Sequence, residues 1–240
     1  MQVTPYKGSE QQKKQQVEQM FDHIAPKYDF LNHFLSLGID KLWRKKAIQI
    51  LSGFKTDYIL DVATGTGDFA VAALKLKPQK IIGFDISEQM LHVGRNKVKR
   101  LGLEDVIEFR KGDSEAMPFS DEQFNAITVA FGVRNFENLE NGLKEFFRVL
   151  KKDGVAIILE FSKPRHFPMK QFYLFYFFKI LPFIGRLISK DSSAYSYLPA
   201  SVMAFPDDQN FLSVLQHAGF SQTRQKRLTF GIATIYIAQK

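Results

Sequence analysis

The chain contains no cysteine among its 240 residues. Structural disulfides, thiolate zinc sites and cysteine nucleophiles are therefore excluded, and the absence fits a reducing compartment. The N-terminus also lacks the pattern of a signal peptide, because residues 1–16 have neither an apolar core nor a small-residue cleavage site. We expect residues 1–16 to be a polar, disordered lead-in to a single domain, residues 17–240, since this length suits one sizeable core.

No uninterrupted apolar run is long enough to cross a bilayer, which takes about 20 residues. The most apolar stretch, residues 167–188, is broken by Lys170, Lys179, Pro182 and Arg186. Two interpretations of this stretch stay open. It can be a buried helix, or an amphipathic lid whose aromatic side enters the lipid interface while its cations face headgroups. We treat residues 165–205 as an aromatic insertion.

Acidic residues are in short supply, 25 against 33 Lys and Arg, which gives a formal net charge of +8. This excess is compatible with a solvated basic surface, with a face that binds nucleic acid, and with attraction to anionic lipid headgroups. Composition does not choose among them. The sequence has no internal repeat and no low-complexity linker, so a second domain is not expected.

The spacing of apolar residues changes once along the chain. From Val17 to Ile24 they recur at helical spacing, and we expect residues 17–54 to form a helical N-terminal lid. From Tyr58 the pattern is strand, loop and helix, repeated. The strand-like runs are YILDVA, KIIGFDI, VIEFRKGD, NAITVAFG and GVAIILEFS. A helix of roughly 10 to 15 residues is expected after each of the first four.

This alternation predicts parallel strands joined by right-handed crossovers, with helices on both faces of an open sheet. Ligands of such sheets bind beyond the carboxyl ends of the strands. At the C-terminus, TRQKRLTF, Gly231 and IATIYIAQK indicate two strands joined by a tight turn. We therefore predict an α/β, Rossmann-like fold, a mostly parallel seven-stranded sheet with a C-terminal antiparallel hairpin. That layout is typical of class I S-adenosylmethionine-dependent methyltransferases.

The first strand runs directly into a glycine-rich loop, Asp61-Val-Ala-Thr-Gly65-Thr66-Gly67-Asp-Phe-Ala70. Glycines at such a turn let the backbone approach a ligand closely. The spacing Gly65-x-Gly67-x-x-Ala70 also satisfies the dinucleotide fingerprint, so the loop alone does not decide between cofactors.

Acids at the ends of three consecutive strands favour S-adenosylmethionine over a dinucleotide. Asp61 would repel a pyrophosphate, whereas it would attract the ammonium of a methionyl group. Asp85 lies 20 residues after Gly65, where a carboxylate can accept hydrogen bonds from both ribose hydroxyls. Asp113 or Ser114 is expected to receive the adenine amine. The alternative, that these are turn and helix-capping residues, explains each acid singly better than it explains the set.

Four segments resemble the C-methyltransferases of ubiquinone and menaquinone biosynthesis. They are Tyr28-Asp29-Phe30-Leu31-Asn32 with Trp43, Arg148-Val149-Leu150-Lys151 with Gly154 and Glu160-Phe161-Ser162, FGVRNF at 131–136, and YSYLPASVMAFP at 195–206. The resemblance covers about residues 17–240. It departs at Leu31, where the family has Met, at Asp40, where it has His, and at Lys152-Asp153, where it has Pro-Gly. An obligatory His base at position 40 would put the activity in doubt.

The resemblance implies transfer of a methyl group from S-adenosylmethionine to a ring carbon of a prenylated hydroquinone. It favours 2-demethylmenaquinol as the substrate and menaquinol as the product, with a polyprenyl methoxybenzoquinol of the ubiquinone route as the alternative. Such quinols are nearly insoluble in water. We therefore expect a cytoplasmic protein attached peripherally to the inner face of the cell membrane, in contact with anionic lipid. A homodimer stays open.

Arg134 and Asn135 follow the fourth strand, on the side where the reacting sulfonium is expected. We assign Arg134 the stabilisation of a phenolate that develops during reaction, and Asn135 the orientation of the second oxygen or of the loop. A guanidinium has a pKa above about 12 and is no ordinary proton acceptor. A structural ion pair of Arg134 with a nearby acid is the alternative. The residues expected to contact the quinol are Tyr28, Asn32, Tyr195 and Tyr197. The general base stays open between His33 and His166.

Two rival classes of protein fit the sequence less well. A nucleic-acid methyltransferase usually carries an Asn/Asp-Pro-Pro-aromatic turn after strand four, where this chain has Gly132-Val133-Arg134-Asn135. A nucleotide-binding oxidoreductase or a non-catalytic binding protein is disfavoured by Asp61 and by Arg134 beside a cofactor pocket. No nucleic-acid partner is expected. No metal is expected either, because no His/Asp cluster has ligand spacing.

Overall fold

The structure, a computed structural model, describes residues 2–6, 8–29, 33, 36, 38–180 and 193–240. Its strands are β1 Tyr58–Val62, β2 Lys80–Asp85, β3 Ile107–Lys111, β4 Phe124–Ala130, β5 Leu150–Phe161, β6 Gln222–Leu228 and β7 Ala233–Gln239. They form one sheet in the order β3-β2-β1-β4-β5-β7-β6. The strands β1 to β5 pair in parallel, and β7 is antiparallel to both β5 and β6. The predicted sheet and hairpin are confirmed.

The α-helices described are α1 Lys13–Ile24, α2 Ile39–Leu51, α3 Asp68–Ala73, α4 Glu88–Leu101, α5 Leu139–Val149, α6 Met169–Phe175, α7 Ser193–Ala204 and α8 Gln209–His217. Helix α1 begins at Lys13, inside the segment expected to be disordered. Helix α2 starts after Gly38, whose φ of 74° lies in the left-handed region that glycine adopts readily. Within the described residues, no helix has the length and apolarity needed to cross a membrane.

The sheet is covered on both faces, which explains why its strands read as continuous apolar runs. In β1, Leu60 and Val62 belong to the core on one face, and Ile59 belongs to the core on the other. This follows from the two-residue period of a strand. Helices α2, α3 and α4 pack on the Ile59 face, while α5 and α8 pack on the opposite face.

The helix expected after the third strand was a wrong prediction. Residues 112–123 form turns and extended backbone between β3 and β4. This connection has to pass from the edge of the sheet across β2 and β1, and it brings Phe119 into edge-on contact with Phe84 and Phe124. Turn-forming residues such as Gly112 and Pro118 favour that path over a helix. Helix α8, ahead of the hairpin, was not predicted.

Candidate active site

Two of the three predicted acids line one cavity at the carboxyl edge of the sheet. This strand-end cavity is bordered by Gly65, Asp85, Asp113 and Ser114. Asp85, the last residue of β2, accepts hydrogen bonds from the backbone N–H of Gly65 at 2.7 Å and of Ser87 at 2.9 Å. Burial raises the pKa of Asp85 to about 6 against these hydrogen bonds. A ligand that donates hydroxyl hydrogen bonds to Asp85 would favour its ionised form.

The third acid, Asp61, lies in a small recess that continues the strand-end cavity. Both spaces are lined by Gly65 and Tyr28. The Asp61 carboxylate accepts hydrogen bonds from Thr64 Oγ1 at 2.5 Å and from Thr128 Oγ1 at 2.6 Å. Burial nevertheless raises the pKa of Asp61 to about 6. A cationic group entering the recess would restore its charge.

Gly65, Thr66 and Gly67 of the glycine-rich loop contribute to the site in different ways. Gly65 lines both spaces, whereas Gly67 contributes shape only: its φ is 83°, and a Cβ there would lie 2.6 Å from the Phe109 ring. Thr66 lines the recess and donates a hydrogen bond to Asp29 at 2.5 Å. The loop therefore forms one wall of the site, and position 67 requires glycine because a larger residue would be strained there and would collide with Phe109.

Helix α1 lies over the strand-end cavity. Its residues Val17 and Phe21 contribute apolar walls. Lys14 Nζ forms an ion pair with Asp113 Oδ2 at 2.5 Å, and the hydroxyl of Ser87 donates to Asp22 Oδ1 at 2.6 Å. The N-terminal helical segment thus supplies part of the wall of the site. Its role as a lid stays a prediction.

A second, apolar cavity of about 330 Å³ adjoins the first. Tyr28, Phe131 and Asn135 line both, so they mark the junction. The remaining walls come mainly from aromatic side chains of α2, β5, α6, the π-helical turn Tyr176–Ile180 that follows α6, and α7. Among them are Trp43, Phe161, Tyr173, Phe177 and Tyr197. Its volume lies in the range of small-molecule sites. The arrangement can hold an apolar ring next to whatever occupies the strand-end cavity.

Four residues of the apolar cavity each carry a buried polar atom with no hydrogen-bond partner among the described residues. These atoms are Arg134 Nε, Asn135 Oδ1, Tyr173 Oη and Tyr197 Oη. Buried polar groups are normally satisfied, because an unpaired one costs about 1–3 kcal/mol. Their concentration in one apolar cavity points to a ligand that brings polar atoms of its own.

Arg134 is partly buried, and its side chain, 8% exposed, is paired with an acid. Its Nη1 donates to Glu160 Oε1 at 2.8 Å and also to the backbone oxygen of Phe131. Glu160 is fully buried, and burial raises its pKa although the Arg134 guanidinium opposes this. The structural ion pair considered for Arg134 is therefore present. It occupies one edge of the guanidinium and leaves Nε for a ligand.

The predicted quinol contacts divide into described and undescribed side chains. Tyr28 and Tyr197 line the apolar cavity, and burial raises the pKa of each to about 12, so both are neutral donors near pH 7. Tyr195 lies on α7, but its side chain, like all of Asn32, falls outside the described residues. Of the candidate bases, His166 is exposed and His33 bonds Asp40; neither lines either cavity.

Three functional candidates escaped the sequence reasoning: Tyr173, Glu160 and Arg44. Tyr173 is one of many aromatic residues in the apolar stretch 167–188, so the sequence does not single it out. Glu160 belongs to a segment that carries the family resemblance, but nothing in the sequence indicates that it pairs with Arg134. Arg44 sits next to Trp43 in another quoted motif, yet nothing local indicates that it reaches the recess. All three are brought to the site by tertiary contacts.

Within the part of the chain that the structure describes, one cluster of His and Asp side chains forms, although the spacing of these residues in the sequence is not that of metal ligands. Ligand atoms of His33, Asp40 and Asp68 lie within 4.8 Å of one another. Arg44 already donates to Asp40 at 2.5 Å, and Lys97 to Asp68 at 2.7 Å. These two cations neutralise the carboxylates that a metal would need, so we assign no metal to the cluster. Asp40 is a buried partner of Arg44.

Sequence comparison finds methyltransferases that match nearly the whole chain. A model of the ubiE/COQ5 methyltransferase family matches residues 9–240. A demethylmenaquinone methyltransferase of Bacteroides fragilis is 53% identical over 239 residues, 99% of this chain and 97% of that protein. One of Porphyromonas gingivalis is 42% identical over 240 residues, 99% and 98% of the two chains. The ubiquinone/menaquinone biosynthesis C-methyltransferase UbiE of Geotalea uraniireducens is 45% identical over 231 residues, 95% and 98%.

Solved structures agree with the fold. The cyclase SpnF superposes with a TM-score of 0.69 at 16% identity, covering 95% of this chain and 96% of that one. An S-adenosylmethionine-dependent methyltransferase of Aquifex aeolicus gives a TM-score of 0.59 at 20% identity, covering 81% and 88%. At these identities the likeness concerns architecture alone. The family match and the close relatives go further: the chain belongs to the ubiE/COQ5 methyltransferase family and is an enzyme that uses S-adenosylmethionine.

Proposed function

We propose that the enzyme methylates a ring carbon of a prenylated quinol, converting 2-demethylmenaquinol to menaquinol. The observation that carries this proposal is the apolar cavity with four unpaired polar atoms beside the strand-end cavity. The names of the relatives from Bacteroides and Porphyromonas support the same substrate. The relative named for both quinone routes supports a polyprenyl methoxybenzoquinol as second candidate.

The strand-end cavity and its recess suit the methyl donor. Asp85 would accept hydrogen bonds from the ribose hydroxyls, and Asp113 or Ser114 would receive the adenine amine. Asp61 would attract the ammonium of the methionyl group, while Gly65, Thr66 and Gly67 shape the loop. When bound, S-adenosylmethionine supplies an electrophilic methyl group. Its neighbour across the junction formed by Tyr28 and Asn135 is then the quinol ring.

The chain's own residues activate the ring carbon. A carbon–carbon bond to the methyl group would form as the methyl–sulfur bond breaks, which would leave S-adenosylhomocysteine. The ring proton would then pass to water, and electron density for the step would come from a quinol oxygen that becomes phenolate-like. Arg134 Nε would donate to that oxygen, while Glu160 fixes the guanidinium. One preorganised donor of this kind contributes about 10²–10³ in rate. Tyr173 and Tyr197 would bind the second oxygen, and Asn135 would orient the ring.

The mouth of the apolar cavity is suited to a membrane surface. Phe172 lines the cavity and is also exposed, and exposed neighbours on the same segment extend its apolar face. The four aromatic side chains of this face, Phe167, Phe172, Phe175 and Phe178, are between 48% and 81% exposed. Lys170 and Lys179 lie among them. We infer a peripheral protein whose aromatic face enters the lipid interface at the cytoplasmic side and draws the quinol from it.

The experiment is a transfer assay with labelled S-adenosylmethionine. Reduced demethylmenaquinone, a reduced methoxybenzoquinone analogue, and RNA are offered in parallel, and the methylated atom is identified by mass spectrometry and NMR. We expect a ring-methylated naphthoquinol. Label on an oxygen, on RNA, or on none of the quinols contradicts the proposal. Faster methylation of the methoxybenzoquinol than of the naphthoquinol would instead support the second candidate substrate.

A paired variant tests the cavity itself. Tyr173→Phe removes one hydroxyl from the apolar cavity and should lower kcat/KM for the quinol by about 5- to 30-fold, the worth of one buried hydrogen bond to a polar ligand. Tyr58→Phe makes the same change at an exposed residue that begins β1, at the opposite end from the site, and serves as control. Equal behaviour of the two variants would remove Tyr173 from the site.

A further inference from the structure

Arg44 reaches the cofactor site from outside the methyltransferase sheet. It belongs to α2 of the N-terminal helical segment and is only 7% exposed. Its side chain lines the recess together with Asp61, Thr64 and Thr66. No sequence feature connects α2 with the glycine-rich loop, since the two segments lie apart along the chain and share no motif.

The guanidinium of Arg44 is incompletely satisfied. Its Nη1 donates to Asp40 Oδ2 at 2.5 Å, while Nη2 lies 3.7 Å from Asp68 Oδ2, beyond ordinary hydrogen-bond distance. Its Nε is buried and has no partner within the described residues. Arginine offers five N–H donors in a planar fork that matches a carboxylate. A buried donor left unpaired next to an open recess indicates an acceptor that arrives with a ligand.

Groups of opposite charge line the recess. Asp61, in β1, attracts a cation, and Arg44, in α2, attracts an anion. The methionyl end of S-adenosylmethionine carries an ammonium and a carboxylate on one carbon atom. Asp68 also lines the recess, but its carboxylate is paired with Lys97 at 2.7 Å. Asp61 and Arg44 therefore match the two charges of an amino-acid zwitterion in sign, whereas a phosphate would match only Arg44 and an uncharged group would match neither.

We propose that Arg44 binds the carboxylate of the methionyl group and so fixes the amino-acid end of the cofactor. Asp40 holds the guanidinium in place: it is buried, and it accepts a further hydrogen bond from Ser36 Oγ at 2.5 Å. Burial opposes ionisation of Asp40, but the Ser36 hydrogen bond and the Arg44 charge outweigh it and hold the pKa of Asp40 below its usual range. The acid at position 40 is then a support for Arg44, and no base is needed there.

The test compares two ligands that differ only in the carboxylate. Calorimetry with S-adenosylhomocysteine and with its decarboxylated analogue gives a ratio of dissociation constants. For the unaltered enzyme we expect the carboxylate to tighten binding at least about tenfold, as a charge-assisted pair does. In Arg44→Gln the ratio should fall close to one, because only S-adenosylhomocysteine binds more weakly. Lys45→Gln, an exposed neighbour on the same helix, should keep the ratio.

A structural role for Arg44 gives a different result. Both ligands would then weaken alike and the ratio would be retained, which overturns the proposal. Because Arg44→Gln leaves Asp40 buried without its cation, the variant Asp40→Asn/Arg44→Gln, which removes both charges, is measured as well. If the unaltered enzyme binds both ligands with the same dissociation constant, the proposal is overturned, whether or not the variants fold. No quinol is present, so failure here leaves the proposed substrate untouched.

Discussion

Asp61 and Asp85 are the residues whose protonation state matters most for the cofactor. Burial raises the pKa of both to about 6, well above the ordinary value for an aspartate. In the free enzyme each carboxyl therefore begins to take up a proton as the pH falls through about 6. A protonated Asp61 no longer attracts an ammonium, and a protonated Asp85 loses acceptor capacity for ribose hydroxyls.

Affinity for S-adenosylhomocysteine should consequently depend on pH. From about pH 8 to pH 7 we expect a constant dissociation constant, and below about pH 6 an increase of up to about tenfold per pH unit for each carboxyl that must ionise on binding. Calorimetry over this range measures it. Asp61→Asn should bind more weakly at pH 8 and show a shallower dependence. A dissociation constant that is flat down to pH 5 would contradict the ionised state assigned to these acids.

The free energy of unfolding should depend on pH in the opposite direction from ligand affinity. A raised carboxyl pKa means that the folded chain binds a proton more tightly than the unfolded chain, whose value is 3.8. These two groups therefore make the free enzyme more stable as the pH falls from about 7 towards about 5. Ligand affinity and the stability contributed by these acids should move in opposite directions over the same interval.

Arg134 can be tested separately from the cofactor. Arg134→Gln keeps a polar side chain but removes the charge, and we expect kcat to fall by about 10²–10³. The KM for S-adenosylmethionine should change little, because Arg134 lines the apolar cavity and not the recess. Arg110→Gln, on the exposed edge strand, is the control. Equal losses in kcat and in cofactor affinity, with a lowered Tm, would indicate that the Glu160 pair is purely structural.

Among the elements, α1 has the most direct influence on access to the cofactor. Val17 and Phe21 face the strand-end cavity, and Lys14 reaches Asp113, the acid proposed to receive the adenine amine. A bound nucleoside must therefore displace or share that ion pair and contact the apolar face of α1. Helices that cover a ligand site open more readily than core strands.

Hydrogen exchange measures this expectation. Saturating S-adenosylhomocysteine should slow amide exchange in residues 13–24 by at least about tenfold, because the ligand adds contacts to α1 that opening must break. Peptides from α5 should be unaffected, since that helix packs on the opposite face of the sheet and lines neither cavity. Unchanged exchange in α1 would exclude it as a lid.

How well the sequence predicted each element depended on the range of the contacts involved. The strands, the glycine-rich loop and the acids at strand ends are local features, so their periodicity and position in the alternation sufficed. The connection from β3 to β4 is shaped by Phe119 crossing to Phe84 and Phe124, which no local pattern reveals. Arg44 and Tyr173 reach their cavities from distant segments of the chain. Helical spacing shows which residues share a face of a helix, but it does not indicate which cavity that face lines.

For the whole molecule, charge and apolar surface act together on membrane association. The net charge of +8 favours anionic vesicles, and the exposed aromatic side chains around α6 supply apolar contact. The electrostatic part is screened by salt, since the Debye length falls to about 3 Å at 1 M. The apolar part is not.

Cosedimentation should accordingly show binding to anionic liposomes at low salt, weaker binding to neutral ones, and partial release by salt. Phe175→Ser with Phe178→Ser should lower the partition coefficient by about tenfold or more, as expected for the loss of two apolar anchors. Leu101→Ser, an equally exposed change at the end of α4, should have little effect. Absence of binding at low salt contradicts peripheral attachment.

Two adjoining cavities, one for the methyl donor and one for the quinol, are the basis of the whole account. A crystal structure with S-adenosylhomocysteine and a short-tailed demethylmenaquinone tests this directly. We predict the nucleoside between Asp85 and Asp113, and the naphthoquinone ring beside Arg134 and Tyr173 with its tail leading towards Phe172. A nucleoside bound away from the strand ends, or a ring bound outside the apolar cavity, would contradict it.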